Sequence, residues 1–561
     1  MNRVFRFFSM EVRGMHEAAY LLAAFSFGSQ LLALVRDRLL AAVFGAGHTL
    51  DLYYAAFRVP DLIFATVASL FSLYALLPVL SRLEMEGEGK MAAFVRDTLA
   101  VFFVAMAAIA AVAFIAAPYL APLVAPGLAS DPASSAQLVL LMRILLLQPI
   151  LLGASNTIAA LTQLRHRFVL YSVSPLLYNL GIIFGAVALY PTMGIVGLAW
   201  GVVFGAGMHA GIQLPYFLSE KPSKRLPRAQ MRAALREVFL LSVPRTLALA
   251  SHQVSLLALT AIASALAAGS IAVFTFAFNL QAVPLTIIGI SYSVAAFPTL
   301  ARLFAAGKRE EFSAYAEAAL RHIIFWAVPA TVLIIILRAQ VVRLVLGAGA
   351  FDWAATRLTA AALALFVLSL LAQSVSMLIA RAYYAAGDSR KPVYFGIIDI
   401  VVAIGSALAL VFLFHSNSIM RSFIESVLRV ADVGGTTVLM LALAYTLGSI
   451  AEAAVGFRYF SRDFGIDGAR TRRLFFESAT AALAGGAAAY AMLALLGPIT
   501  GIRTTLGVLA QGGTAGIAGL AATAGVLWIM GNAELREAII AAKQRFRDIR
   551  RPVAVEPSDV A

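Results

Sequence analysis

The sequence predicts an all-α polytopic membrane protein of about 14 transmembrane helices. Two parallel six-helix repeats are expected to form two lobes around a central cavity, and two extra C-terminal helices follow. Three observations support this fold class. Of the 561 residues, 61% are hydrophobic and 13% are charged, whereas soluble domains carry about 25% charged residues. Apolar stretches of spanning length recur along the whole chain. A motif of the first half also returns in the second half.

The predicted spans follow one another with short connections. A membrane-crossing helix needs about 20 mainly apolar residues. Stretches of this kind lie at 18–44, 52–80, 93–121, 136–163, 168–190, 194–218, 238–265, 271–302, 319–346, 356–385, 392–414, 434–460, 475–497 and 504–530. The basic segment 1–17 precedes an apolar run that is too long for a signal peptide and lacks a cleavage site, so we expect the segment to stay attached. Residues 415–432 predict an amphipathic surface helix with Arg421, Glu425 and Arg429 on its polar side.

Charge in the connections predicts the topology. Lys and Arg are concentrated in alternate loops, and the loops near Gly45, Pro126, Pro191 and Ala268 contain neither. By the positive-inside rule, both termini are expected in the cytoplasm. The rule also accounts for the net charge of +14 without a nucleic-acid partner. The expected organisation is a cytoplasmic N-terminal segment 1–17, a first lobe 18–218, a basic cytoplasmic linker 219–237, a second lobe 238–460, two C-terminal helices 461–531 and a basic cytoplasmic tail 532–561.

An internal repeat supports the two lobes. LPVLSRL at 77–83 returns as FPTLARL at 297–303, an offset of 298 − 78 = 220 on the proline. With six spans in each repeat, both repeats start on the same side of the membrane and are parallel. Parallel repeats of this kind surround a central cavity in many transporters.

Four separated regions carry a family resemblance. They are VRDRLLAAVFGAGHTLDLYYAAFRVPDL at 35–62, LLPVLSR at 76–82, GAGAFDWAATRLTAAAL at 347–363 and ARAYYAAGDSRKPV at 380–393. Together they resemble the MurJ (MviN) lipid II flippases of peptidoglycan synthesis, a branch of the MOP exporter superfamily. The resemblance implies a fourteen-helix, V-shaped pair of lobes with a basic central cavity. It also implies a hydrophobic groove for the lipid tail along the last two helices.

The chain departs from the family pattern at several cavity positions. The resemblance implies an arginine six residues before the Arg36-Asp37 pair, where this chain has Gln30. It implies another arginine in the eighth helix, where the chain has Asn279. The usual arginine pair and acidic-glycine step after the motif around Arg58 are Phe64-Ala65 and Ser69-Leu70 here.

Three arginines are candidates for binding an anionic head group. A diphosphate-linked saccharide needs fixed cations in a wet cavity, and the planar guanidinium can bind phosphate oxygens bidentately. The candidates are Arg36, Arg58 and Arg245, with a structural ion pair or a snorkelling side chain as the alternative for each. Asp37, Asp51, Asn279 and Gln30 are supporting or gating candidates. Arg38 lies about 200° around the helix from Arg36 and is expected to face the other lobe or the head groups.

Three acidic residues in or beside the spans have other candidate roles. Asp51 is expected to cap the second helix, or to pair with an arginine of a gate. Asp399 and Glu452 are isolated carboxylates in apolar runs and are candidate proton or cation sites. No histidine lies at metal-ligand spacing from a second ligand, so no metal site is predicted.

The predicted function is transport, and not enzymatic catalysis. No phosphate-binding loop is present, so no cofactor is expected and transport would be coupled to the membrane potential or a monovalent ion. The expected substrate is a polyprenyl-diphosphate-linked saccharide, lipid II above all, moved from the inner to the outer leaflet of the bacterial inner membrane by alternating access. Membrane lipids and envelope-synthesis proteins are the other expected partners. Two alternatives remain: another MOP-type exporter, for a different lipid-linked glycan or for drugs and cations, and a degenerate scaffold that does not transport.

The last two predicted spans are rich in small residues. Short side chains at 480–490 and 512–525 would leave a shallow apolar furrow for a polyprenyl tail. Close helix packing through small residues is the alternative explanation.

Overall fold

The computed structural model describes residues 15–71, 76, 79–80, 82–83, 90–165, 167–219, 227–466, 468–498 and 504–550, with backbone alone at 15–20, 23, 69, 71, 228, 241, 244–245, 248–249, 541–542 and 544–550. All regular structure in these residues is helical. The α-helices are α1 (Met15–Phe44), α2 (His48–Ala56), α3 (Arg58–Thr66), α4 (Lys90–Val124), α5 (Pro126–Ala129), α6 (Pro132–Leu145), α7 (Leu147–Leu164), α8 (Phe168–Phe184), α9 (Tyr190–Met193), α10 (Ile195–Gly211), α11 (Leu214–Ser219), α12 (Arg228–Ser264), α13 (Ser270–Leu285), α14 (Ser291–Ala305), α15 (Arg309–Val345), α16 (Trp353–Val367), α17 (Leu370–Ala385), α18 (Arg390–Ser416), α19 (Ser418–Leu428), α20 (Val438–Phe464), α21 (Gly468–Leu496), α22 (Thr505–Ile529) and α23 (Ala533–Arg550).

The protein is a multi-pass membrane protein. Among the described residues, 10 helices are long and apolar enough to cross a membrane, and α16 and α17, bent by 43°, make up to 11 if they form one span. These helices match eleven of the expected spans. The other three, 18–44, 52–80 and 238–265, are the segments that contain Arg36, Arg58 and Arg245. The count of fourteen therefore stays a prediction.

The expected second span is broken within the residues that the structure describes. α2 ends at Ala56 and α3 begins at Arg58. Pro60 accounts for the break, because proline has no N–H to donate to the carbonyl of Ala56 and its ring crowds that carbonyl. The break places Arg58 in the first turn of a new helix.

The chain folds into two compact units, which we describe separately. Unit 1 takes its residues from 1–283, 342–369 and 388–455, and unit 2 takes its residues from 284–341, 370–387 and 456–561. The expected division into two six-helix lobes stays a prediction.

In unit 1, α8 and α10 meet backbone to backbone. A Cβ added at Gly181 would lie 2.1 Å from the Cα of Gly205, and a Cβ added at Gly185, directly after α8, would lie 2.6 Å from the Cα of Gly201. Small residues allow this close approach between membrane helices. The two helices consequently form a tightly packed hairpin.

In unit 2, α21 and α22 pack closely through glycines. A Cβ added at Gly485 would lie 2.0 Å from Oγ1 of Thr523, and one added at Gly519 would lie 2.5 Å from Leu333 of α15. Gly485 and Gly519 are therefore helix-packing positions, which is the alternative considered for the small residues of these spans. The tail groove itself stays a prediction, and only outward-facing residues such as Leu483, Ile517 and Leu520 remain available to line it.

Candidate functional site

The Arg36-Asp37 pair lies at the centre of a polar network in unit 1. Arg36 donates from Nε and Nη2 to Oδ1 of Asp37, at 3.0 and 2.8 Å, and from Nη1 to Oδ1 of Asn179 on α8 at 2.9 Å. Oδ2 of Asp37 accepts from Asn279 on α13 at 3.1 Å. Asp37 is buried, and the side chain of Arg36 is 20% exposed. The network joins α1, α8 and α13.

The pairing limits what Arg36 can offer to a ligand. A guanidinium has five N–H donors, and these bonds use three of them. Its charge is also balanced by Asp37. Arg36 can therefore bind an anion with its remaining donors, or exchange Asp37 for the anion, but it does not present a free cation in this conformation.

Arg58 has a different environment. Its Nε is buried and has no hydrogen-bond partner among the residues that the structure describes. Asp61 lies one helical turn on and interacts electrostatically with Arg58, while the Gln148 side chain donates a hydrogen bond to Asp61. A buried donor without a partner loses its hydration without compensation. An anionic ligand would supply the missing acceptor.

The two pairs belong to one polar region. Tyr53 of α2 and Tyr178 of α8 each interact electrostatically with both Arg36 and Asp61. Across the described side chains of the region, two arginines therefore face two aspartates, and the region has no net charge. Recognition of a polyanion here would depend on directed donors more than on a positive field.

Sequence reasoning missed Asp61 and did not place Asn179 among the site residues. The spacing of Arg58 and Asp61, three residues apart on one helix, is a detectable pattern for an ion pair. Nothing in the sequence indicates the contact of Asn179 with Arg36, because the two residues are separated by 143 positions.

Two predicted head-group and supporting residues add less to the site. Gln30 is half-buried in α1. Arg245 lies within α12, but its side chain is outside the described residues. The contribution of Arg245 therefore stays a prediction.

Asp51 caps a helix, although not the one expected. It accepts hydrogen bonds from the backbone N–H groups of Gly269 (2.6 Å) and Ala272 (2.8 Å), at the start of α13. Its own helix α2 has Gly47 at the N-cap and no side-chain cap. The expectation that Asp51 caps the second helix is therefore wrong, because its carboxylate points away from its own helix toward the free N–H groups of another. The cap links residues of the two predicted repeats.

Loops next to this cap are in direct backbone contact within unit 1. A Cβ at Gly269 would lie 2.2 Å from the carbonyl oxygen of Ala46, and one at Gly349 would lie 2.2 Å from that of Ala42. The N–H of Ala350 donates to the carbonyl of Ala42 at 2.8 Å. These loops close one end of unit 1 without side chains between them.

Arg38 has a structural role. It donates from Nη1 to the carbonyl of Leu344 at 2.7 Å, at the C-terminal end of α15. A cation is favourable there because the helix dipole is negative at that end. The expectation that Arg38 faces the second lobe is consistent with this contact.

Asp399 and Glu452 lie beside the same tyrosine. Buried Asp399 of α18 accepts from Oγ of Ser255 at 3.0 Å, and both carboxylates interact electrostatically with Tyr445 of α20. Tyr445 also hydrogen bonds with Ser449. Asp399 and Ser255 thus bring a carboxylate and a hydroxyl oxygen together between α18 and α12, with Tyr445 of α20 within electrostatic range of Asp399.

Comparison with known proteins identifies the family. The family model described as "Lipid II flippase MurJ" matches residues 40–499. The chain belongs to the lipid II flippase MurJ family. The "Lipid II flippase MurJ" of Burkholderia cenocepacia is 26% identical over 391 residues, which cover 68% of this chain and 75% of the relative. The "Probable lipid II flippase MurJ" of Rhizobium tropici is 28% identical over 405 residues, covering 68% and 73%.

Solved structures confirm the fold class. A lipid II flippase MurJ in the inward closed conformation superposes with a TM-score of 0.69 at 18% identity, covering 91% of this chain and 99% of that one. An inward-facing multidrug resistance MATE family transporter of the MOP superfamily gives a TM-score of 0.61 at 15% identity, covering 83% and 98%. At these identities the likeness concerns the fold alone.

Asn279 shows how this MurJ-family chain accommodates one departure. The resemblance implies an arginine there, and the structure places the amide of Asn279 on Asp37. A neutral amide leaves Asp37 with one cationic partner among these bonds, Arg36. Asn279 therefore makes a hydrogen bond to Asp37 without adding a positive charge to the region.

Proposed function

We propose that this protein moves a polyprenyl-diphosphate-linked saccharide, with lipid II as the first candidate, from the inner to the outer leaflet of the bacterial inner membrane by alternating access. Family membership supports a transporter, and the relatives are named lipid II flippases. The observation that carries the proposal is the buried Nε of Arg58, which has no acceptor in the described residues. Diphosphate oxygens are acceptors of the required charge and geometry.

In this proposal Arg58 binds the diphosphate first. Arg36 contributes its remaining donors and stays oriented by Asp37 and Asn179. Charge-assisted hydrogen bonds of this kind are short and strong in a site of low dielectric. The balanced charge of the region lets the head group leave again, because the binding does not rely on a large net attraction.

Complementation of a MurJ-depleted bacterium tests the proposal, together with lipid II translocation in proteoliposomes of the purified chain. Wild type should restore growth and move lipid II, and Arg58→Ala should do neither while it still accumulates in the membrane. Arg143→Ala is the matched control, because Arg143 packs on the Phe114 ring and donates to its carbonyl away from the site. Translocation by Arg58→Ala at the wild-type rate would refute the assignment.

We also propose that the oxygen cluster around Asp399 couples transport to a monovalent cation or proton. Carboxylate and hydroxyl oxygens suit a hard cation, which prefers oxygen ligands. Asp399→Asn should make the translocation rate independent of an imposed ion gradient, while Glu311→Gln, in a surface pair with Lys308, should keep the dependence. An unchanged gradient dependence in Asp399→Asn would exclude this role.

Another MOP-type exporter is the second candidate. The balanced arginines and aspartates favour it, since they could equally accept a cationic drug or a different lipid-linked glycan. Competition for lipid II translocation by each compound class separates the candidates. A protein that translocates none of them, yet supports growth, would be the scaffold considered from the sequence.

A further inference from the structure

The helix α19 carries an apolar stripe that nothing in the described structure covers. Ile419, Phe423 and Val427 are 81, 67 and 60% exposed and follow one another at intervals of four residues. This spacing places them on one face of the helix. The stripe is separate from the polar region and from the oxygen cluster described above.

The other faces of α19 have different environments. Met420, Ile424 and Leu428 are half-buried on the neighbouring face, and Ser418, Ser422 and Ser426 form an exposed stripe. The serine stripe is centred about 100° around the helix axis from the apolar stripe. One helix therefore borders protein, an apolar exposed face and a polar exposed face.

Contacts of Glu425 and of Arg357 fix this orientation. Buried Glu425 accepts from Nε of Arg421 at 2.9 Å and from the hydroxyl of Thr436. Beyond the helix, Arg357 of α16 binds both carboxylate oxygens of Asp432 and the carbonyl of Arg429. Arg357 also holds the pKa of the Asp432 carboxyl below its usual range through these hydrogen bonds. The helix is thus held on unit 1 by polar contacts. A surface helix is present at Ser418–Leu428 as the sequence predicts, but Glu425 is buried and Arg429 follows the helix end, so the polar side differs from the expected one.

The preceding span indicates the depth of the stripe in the membrane. α18 has 27 residues, about 40 Å of helix, so it reaches through the hydrocarbon core into the head-group region. Its outward residues Leu408 and Phe412 are 58 and 70% exposed, as for a surface that faces lipid. α19 starts two residues after α18 ends, and Asn417 between them caps α19. The apolar stripe therefore begins at the depth where the lipid-facing surface of α18 ends.

We propose that α19 lies in the plane of the bilayer interface, with Ile419, Phe423 and Val427 inserted among the lipid acyl chains and the serine stripe in water. Amphipathic helices with these two faces bind at the boundary between head groups and acyl chains. The helix then fixes the depth of unit 1 in the membrane at this end of α18.

Site-directed spin labelling of the full-length chain tests the proposal. The sequence contains no cysteine, so each introduced cysteine is the only labelling site. Phe423→Cys and Ser422→Cys are adjacent in sequence and face the two exposed stripes. Each labelled protein is reconstituted into vesicles of phosphatidylethanolamine and phosphatidylglycerol, and its collision rates with oxygen and with a water-soluble nickel complex are measured.

The label at position 423 should have a severalfold higher ratio of oxygen to nickel collisions than the label at 422, and positions 418–428 should show a 3.6-residue period. Equal ratios at 422 and 423 would overturn the proposal, since both faces would then be in water. Low collision rates with both reagents at 423 would overturn it as well, because a protein partner or a second copy of the chain would then cover the stripe.

Discussion

Arg58 and Arg36 differ in the hydrogen bonds that their neighbours provide. The hydrogen bonds of Arg36 are directed to Asp37 and Asn179, whereas Nε of Arg58 is buried with no partner in the described residues. A buried donor left in this state costs about 1–3 kcal/mol. The unbound site is therefore destabilised at Arg58, and under the proposed function a bound diphosphate would supply the missing acceptor.

Substitution of the two arginines should separate these roles. Arg58→Ala should lower affinity for a soluble diphosphate analogue and should lower the melting temperature less than Arg36→Ala does, because Asp61 loses a nearby cation but no hydrogen bond of the Arg58 Nε is lost. Arg36→Ala should lower the melting temperature, because buried Asp37 loses its cation, at a cost of about 3 kcal/mol. Calorimetry and thermal unfolding of the detergent-purified variants measure both. A larger loss of stability in Arg58→Ala than in Arg36→Ala would contradict this division.

Asp51 gives a second residue-scale prediction. It holds two backbone N–H groups at the start of α13, and loss of a helix cap costs about 1–2 kcal/mol. Asp51→Ala should lower the melting temperature, and Asp51→Asn should recover part of the loss because its carbonyl oxygen can still accept. Asp352 caps α16 in a similar way but is exposed, so Asp352→Ala should cost less. Equal stabilities of Asp51→Ala and wild type would show that the cap contributes nothing.

At the scale of elements, the contact between the loops at Gly269 and Ala46 depends on glycine for two reasons. Gly269 has a φ of +89°, and a Cβ there would meet the carbonyl of Ala46. Gly307 shares a positive φ of +73° but has nothing within 4 Å of an added Cβ. Alanine substitutions at the two positions can therefore separate the effect of backbone strain from the effect of losing the loop contact.

Gly269→Ala should open this end of unit 1, whereas Gly307→Ala should only strain its turn. The measurement is the rate at which a soluble maleimide labels Thr275→Cys, a buried position on α13, in each background. Labelling should be faster in the Gly269→Ala background but not in the Gly307→Ala background. Equal rates in the two backgrounds would mean that the glycine contact does not keep the end closed.

The last two helices give the second element-scale prediction. Gly485→Leu should destabilise the protein by about 1–3 kcal/mol through overpacking against Thr523. Gly513→Leu should be tolerated, because an added Cβ there meets nothing within 4 Å. Thermal unfolding of both variants is the measurement, and a stable Gly485→Leu would show that the two helices are not closely packed. A photoreactive prenyl lipid should separately label Leu483 or Ile517 if the furrow binds a tail.

At the scale of the whole molecule, the fold was largely predictable because hydrophobic length is a local property. Eleven expected spans and the surface helix near Phe423 were predicted from runs of residues alone. The cap that Asp51 provides for α13 was not predicted, because its partners lie 218 and 221 positions away in the sequence. The break at Phe57 was missed because a proline in an apolar run is tolerated in many membrane helices.

Topology supplies the whole-molecule prediction. If 238–265 is a span, the basic linker before it and the loop at Gly269 lie on opposite sides of the membrane. Reporter fusions after Ser219 and after Gly269 should therefore be active in the cytoplasm and the periplasm, respectively, and a fusion after Arg550 should again be cytoplasmic. Identical behaviour of the first two fusions would exclude this span and the count of fourteen.

The glycine contact between α8 and α10 has a mechanical consequence. Two helices that touch through their backbones have no side chains between them that could rearrange, so we expect the hairpin to move as a rigid unit. Asn179 lies on α8 of this hairpin, two residues before Gly181, and accepts a hydrogen bond from the guanidinium of Arg36. If α1 moves relative to this hairpin, we expect the hydrogen bond between Arg36 and Asn179 to break before the hairpin bends. Such a motion of the first helix would change the partner of Arg36.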